Sequence, residues 1–198
     1  MLYTNLSAME LTDAEIVEQS ILEPEIFGVL MRRYQEPLFR YARRLGQLPK
    51  EDAEDLLQET FIKMYRHLNE YDTSLKFSSW AYRIVHNQVI DHLRKLEARV
   101  RTDALEDYEW EKLIVASTGI EKEIANKDCF EKIKSCIGNL PEHYREVLIL
   151  RFIEEKDYEE IMDILKKPKG TIATLIARGR KILLKNMQRN HNHCTESL

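Results

Sequence analysis

Apolar positions along this chain recur at intervals of three and four over long stretches, the spacing of amphipathic helices, and no run alternates with the period of two that a strand needs. One stripe covers residues 24–46 with Phe27, Leu30, Met31, Tyr34, Leu38, Tyr41, Ala42 and Leu45, and Gly46 and Pro49 end it. A second helix is predicted over 51–70. Glu51 and Asp52 lie near its positive end, and Ala53, Leu56, Leu57, Thr60, Phe61, Met64 and Leu68 face inward. Residues 71–79 break the period, and Ser78 or Ser79 is placed to cap a third helix reaching about Leu96, with Trp80, Ala81, Ile84, Val85, Val89 and Leu93 on its apolar face.

Periodicity weakens over 97–127, where acids outnumber bases. That segment reads as a flexible linker, with a short helix near 108–115. Beyond it, one helix carries Phe130, Ile133 and Ile137 and stops at Gly138, and another covers 142–152 with Tyr144, Val147, Leu148 and Phe152 inward. Two more, over 157–165 and 170–187, are separated only by Lys166, Lys167, Pro168 and Lys169. The expected organisation is all-α. An acidic extension (1–24) precedes a three-helix domain (25–96), and the linker (97–127) leads to a four-helix domain (128–188) and a disordered tail (189–198).

Composition agrees with packed domains: 43% of the 198 residues are hydrophobic and only 6 are Gly and 5 Pro. No apolar run reaches the roughly 18 residues of a membrane span, and the chain begins with acids where a secretory leader would be basic, so a cytoplasmic protein is expected. Cys129, Cys136 and Cys194 form no CxxC pair and read as reduced thiols.

The formal net charge of −4 hides a segregation of sign. Residues 1–25 hold six acids and no Lys or Arg, whereas 166–189 hold eight bases and no acid. An unmixed basic segment is the electrostatic footprint of phosphate contact, while a merely solvated helix face carries mixed signs.

No phosphate-binding glycine loop, zinc-protease motif or nucleophile elbow occurs, so neither an enzyme nor a cofactor is expected. The nearest approach to a metal site, His191, His193 and Cys194, lies in the tail, where such a grouping is more often accidental, although Cys129 or Cys136 could complete it.

Two helices across a tight turn, the second one basic, match a helix-turn-helix whose second helix enters the major groove. Tyr158, Ile161, Met162 and Leu165 would line the inner face of the first helix; Ile172, Leu175, Ile176, Ile182 and Leu183 that of the second. Gly170 and Thr171 open the second helix, where backbone N–H groups can hold a phosphate. By pattern alone a plain αα-hairpin is the commoner outcome, and charge alone does not decide between them.

The order of motifs decides. DAEDLLQETFIKMYRHL (52–68), FSSWAYRIVHNQVIDHLRK (77–95), NLPEHYREVLILRF (139–152), DYEEIMDIL (157–165) and PKGTIATLIARGRKIL (168–183) resemble, in order, regions two and four of the extracytoplasmic-function group of bacterial sigma-70 factors. The resemblance covers about two thirds of the chain and leaves out the linker, the first 24 residues and the tail. It implies a sigma factor that binds core RNA polymerase through the β′ clamp helices and the β flap and directs initiation at promoter DNA.

Residue by residue, the resemblance implies a polymerase-binding patch of Asp55, Gln58 and Glu59, three neighbours on one helix face away from the core. It implies a single-strand site for the downstream promoter element: Asn87 as the pocket residue, Tyr71, Lys76 and Phe77 from the preceding loop, and Arg83, Arg94 and Lys95 on phosphates. Trp80 fits core better than a stacking platform, and His86 and His92 are open between surface and contact. The upstream element would be read by Thr171, Ala173, Thr174, Ala177 and Arg178, with Lys167, Lys169, Arg180 and Lys181 at the backbone. Here the chain departs from the family. Ala173 and Leu175 stand where many members have bases, which favours apolar readout, and Gly179 within the helix costs about 1 kcal/mol against Ala.

An anti-sigma factor clamping the two domains is also implied. Two other readings stay open at this point. One is a stand-alone helix-turn-helix regulator of duplex DNA; the other is a divergent sigma-like protein acting chiefly through a protein partner.

Overall fold

The computed structural model describes residues 11–103, 133 and 136–195, with side chains described outside 99–103 and 188–195. The expected short helix at 108–115, the linker beyond Asp103, and Phe130 and Cys129 lie outside the described residues. Among these residues every regular element is helical.

Helix α1 (Asp13–Leu22) forms within the segment that suggested nothing beyond acidity. Its start is a capping box. Thr12 Oγ1 accepts from Glu15 N–H at 3.3 Å, and the Glu15 carboxylate accepts from Thr12 N–H at 2.8 Å, so two otherwise orphan donors are satisfied. Ile16, Val17 and Ser20 are buried. Asp13 ties the helix to α2 (Phe27–Gly46) by accepting hydrogen bonds from Arg33 and Tyr34.

A 3-10 turn at Pro24–Ile26 leads into α2, whose start therefore falls later than the sequence pattern suggested. At its other end the left-handed residue is Gln47 (φ 52°), not Gly46. Gly46 is the last helical residue and is needed for space, because a Cβ there would come within 2.8 Å of Leu48 Cγ and 2.9 Å of Val89 Cγ1. The strained Gln47 is held by its own side chain, which donates to the Gly138 carbonyl at 2.6 Å.

Helix α3 (Lys50–Arg66) buries Ala53, Leu56, Leu57, Thr60, Phe61 and Met64 as expected and passes into a 3-10 turn at Leu68–Glu70. Helix α4 spans Phe77–Asp103. Neither serine caps it. The Lys76 carbonyl accepts from Ser79 and Trp80 N–H, so both serines lie inside the first turn, and Ser79 is buried. The helix runs past Leu96 because Leu96–Asp103 contains no Gly or Pro to stop it.

In the second domain α5 (Glu142–Phe152) is central, with Glu146 through Leu150 all buried, so it has no single apolar face. Phe152, expected inward, is instead exposed, and the Arg180 guanidinium sits over its ring at 5.9 Å. Helix α6 (Tyr158–Leu165) opens with a second capping box, Asp157 with Glu160. Lys166 (φ 52°) turns the chain, and α7 runs over Lys169–Thr195, well beyond the end expected near Met187 and into the segment read as a disordered tail. Gly179 lies where α7 crosses α5. A Cβ there would meet Leu148 and Tyr144 at 3.2–3.3 Å, so close packing accounts for a residue that costs helix propensity.

The two domains pack on each other, α6 against α4 and α5 against α2, and their apolar cores are continuous. That contact explains why α4 buries Tyr82, His86 and Ile90 in addition to the face its periodicity marked.

Candidate nucleic-acid interface

Asp55, Gln58 and Glu59 are exposed side by side on α3, opposite its buried stripe. Gln58 also forms part of the wall of an apolar groove between α2 and α3, whose other walls include Met31, Phe39, Ile62 and Tyr65. Ile62 is 54% exposed, far more than an isoleucine in a closed core, so this face presents apolar surface beside the acidic patch.

The single-strand candidates divide. Asn87 is exposed on α4, Arg94 and Lys95 are exposed further along it, and Arg83 is half-buried. Arg94 pairs with Asp91 at 3.7 Å, a solvent-exposed contact that leaves the guanidinium available. Tyr71 and Phe77 are not open to a base. Both are buried in an aromatic cluster with Trp80 and Tyr34, at ring-centroid distances of 5.3–5.5 Å. They shape the loop from beneath: the Tyr71 hydroxyl donates to the Leu75 carbonyl, and Asp72 accepts from Ser74 N–H at 2.9 Å. The Ser74 side chain first, and then its backbone N–H, hold the Asp72 carboxyl below its usual range. Trp80 is core, as its stripe suggested.

Lys76 is exposed but engaged, 3.4 Å from Asp157 and 3.6 Å from Glu160. Those two carboxylates hold its ammonium above the ordinary lysine range, with Glu160 the larger influence.

On the helix-turn-helix, Lys169, Thr171, Ala173, Thr174, Ala177, Arg178, Arg180 and Lys181 are all exposed on α7. Thr171, Thr174, Arg178 and Lys181 follow one another at three- and four-residue steps and form one strip, with Ala173, Ala177 and Arg180 beside it. Nothing lies within 4 Å of a Cβ built on Gly170, so the first turn is open to close approach by a phosphate. The Thr174 hydroxyl donates to the Gly170 carbonyl at 2.8 Å. Lys167 stands apart from this strip, half-buried and bonded to the Glu146 carboxylate.

Sequence reasoning missed a polar cluster where the domains meet. His86, left open between surface and contact, is neither; it is buried, with Tyr41 Oη 3.1 Å from Nδ1 and Glu146 Oε2 3.4 Å from Nε2. Burial pushes the imidazole down to about 4, with the Lys167 and Arg94 charges adding to the effect. Burial pushes the Glu146 carboxyl up, against the Lys167 ammonium that pulls it down. Glu154 accepts from Arg44 and from the Tyr82 hydroxyl, each at 2.8 Å. The one signal available beforehand was a glutamate set directly against the apolar run Val147–Leu150.

Among the described residues no three His, Cys, Asp or Glu side chains gather to hold a metal, and no helix is long and apolar enough to cross a membrane.

Comparison with known proteins matches residues 30–99 to sigma-70 region 2 and residues 130–183 to sigma-70 region 4. The chain is 33% identical over 174 residues to the ECF RNA polymerase sigma factor SigW of Bacillus subtilis, covering 84% of this chain and 91% of that one. It is 31% identical over 187 residues to the ECF RNA polymerase sigma-E factor of Escherichia coli, covering 90% and 96% respectively. The sigma factor RpoE of Bartonella quintana, solved in complex with the anti-sigma factor NepR, shares the fold with a TM-score of 0.67 at 22% identity, covering 82% of this chain and 96% of that one. CnrH, solved with the cytosolic domain of CnrY, gives a TM-score of 0.65 at 22% identity, covering 89% and 97%. With both regions in order on one all-helical chain and full-length relatives above 30% identity, the protein belongs to the extracytoplasmic-function group of the sigma-70 family of RNA polymerase sigma factors.

Proposed function

We propose that the chain acts without catalysis of its own, in the cytoplasm, by docking core RNA polymerase on the Asp55–Gln58–Glu59 patch and the adjoining apolar groove. Helix α4 then holds opened downstream promoter DNA at Asn87, with Arg83, Arg94 and Lys95 on phosphates. Helix α7 reads the upstream duplex with Thr171, Ala173, Thr174, Ala177 and Arg178, flanked by Lys169, Arg180 and Lys181. The observation that carries this reading is the exposure of all three groups at once. Asp55, Asn87 and the α7 strip each face solvent on helices whose other faces are buried. The β′ clamp helices and β flap are the polymerase elements implied. An anti-sigma factor is a further partner in this reading, supported by the neighbour solved with NepR.

With few bases early in α7, direct readout leans on methyl contacts from Ala173 and Ala177 and on the single guanidinium of Arg178. Transcription with core polymerase on genomic fragments tests the whole reading. New start sites should arise with the protein, fall sharply with Asn87→Ala, and vanish with Asp55→Ala together with polymerase binding. Duplex binding without new starts would refute it.

A further inference from the structure

We infer that Gln88 is a specificity residue of the single-strand site, held by Lys63 as a hydrogen-bond donor, so that the site favours a base with a keto oxygen over one with an exocyclic amine. The inference deepens the proposed role of α4 and rests on it.

Gln88 stands beside Asn87 on the side of α4 that the core leaves free. Helical spacing places Ile84 one turn before both amides and Asp91 one turn after both. Ile84 is half-buried and packs on the core, Gln88 is half-buried, and Asn87 and Asp91 are exposed. The four together form a small apolar floor framed by two amides and a carboxylate, the kind of surface that a single unstacked base can cover and hydrogen-bond along its edge.

The two amides of this frame are not equivalent. A free amide reads keto and amino groups alike, because it can turn over and offer either its oxygen or its NH2. Asn87 has that freedom, since no hydrogen bond ties its side chain among the described residues. Gln88 does not. Lys63 Nζ, reaching across from α3, donates to Gln88 Oε1 at 3.0 Å. An ammonium has only protons to give, so it holds the amide oxygen toward α3 and leaves the NH2 pointing away from it. Turning the amide over would break this bond and set N–H against N–H. On the other side of the frame Asp91 can only accept, and it lies 3.7 Å from Arg94.

Thymine and guanine carry a keto oxygen, O4 or O6, where cytosine and adenine carry an amine, N4 or N6. A fixed NH2 pairs with the oxygen, but it meets the amine donor to donor and leaves both groups unsatisfied. Lys63 is therefore a positioning residue that acts on the base through Gln88.

The test uses holoenzyme of the full chain with core polymerase. The probe is fork-junction DNA whose single-stranded part is the non-template strand just upstream of a start site found by transcription, with each position set in turn to T, G, C and A. Fluorescence anisotropy should find one position at which T and G bind about tenfold more tightly than C and A. Gln88→Glu puts an acceptor, still held by Lys63, in place of the donor and should reverse the order at that position alone. Lys63→Met lets the amide turn over, so the keto preference should largely vanish, whereas a merely structural lysine would weaken all four bases equally. Gln88→Leu should also abolish the preference, and it carries the test if the glutamate is not tolerated. A keto preference at no position, or one that survives Gln88→Leu and Lys63→Met, overturns the inference. Holoenzyme that binds the fork no better than the intact duplex refutes the proposed role of α4 instead.

Discussion

His86 Nε2 stands 3.4 Å from Glu146 Oε2, and the two buried groups come from different domains. Neither is free to titrate as it would in water. The depressed histidine value means that the separated or unfolded chain binds the extra proton between about 6.5 and about 4, so the packed state loses stability as pH falls through that window. Linkage puts this loss at up to about 3 kcal/mol. Glu146, raised by burial, acts in the opposite sense, taking up its proton while packed. Removing the imidazole therefore isolates one arm. In thermal melts His86→Gln should lose less stability than wild type between about pH 7.5 and about pH 5. Equal losses would show that another group sets the acid sensitivity.

Lys167 and Arg178 were both expected at the DNA backbone or groove, and the structure gives them different environments. Arg178→Ala should weaken duplex binding and reduce the slope of log affinity against log salt by about 1, measured by fluorescence anisotropy. Lys167→Ala should instead lower stability by about 1–2 kcal/mol, because it strips a partner from the buried Glu146 carboxylate.

Gly46→Ala should destabilise the first domain by about 1–2 kcal/mol despite the better helix propensity of alanine. The new methyl would meet Leu48 Cγ and a branched methyl of Val89, neither of which can move without disturbing α4. Urea denaturation followed by circular dichroism measures it, and an unchanged midpoint would mean that Leu48 yields freely.

The capping box of α1 predicts that Thr12→Ala costs about 1 kcal/mol, while Thr12→Ser costs much less. Hydrogen exchange at Ile16 and Val17 should quicken in the alanine variant, since fraying of α1 exposes those amides first.

Helix positions were readable beforehand because each stripe of three- and four-residue spacing had breakers at its ends, as with Ala53 to Met64 in α3. The exposure of Asp55, Gln58 and Glu59 was readable because three polar residues shared a face that the core did not need. The domain contact was not. Periodicity assigns one buried face to a helix, whereas α4 buries a second one through Tyr82 and His86, and α5 buries five consecutive residues. Tyr71 and Phe77 illustrate the opposite error. Rings in a loop suggest stacking platforms, but a loop next to a small core often lends its rings to that core, and these two pack on Trp80. Helix α1 went unread because its signal was a cap, Thr12 with Glu15, in a segment judged only by its charge.

The length of α4 sets how much of it the second domain can cover. A helix of 27 residues is a rod of about 40 Å. Tyr82 and His86, which meet Glu154 and Glu146 of the second domain, both lie within its first three turns. Arg94 and Lys95 stand further along the rod and stay exposed while the two domains are packed together.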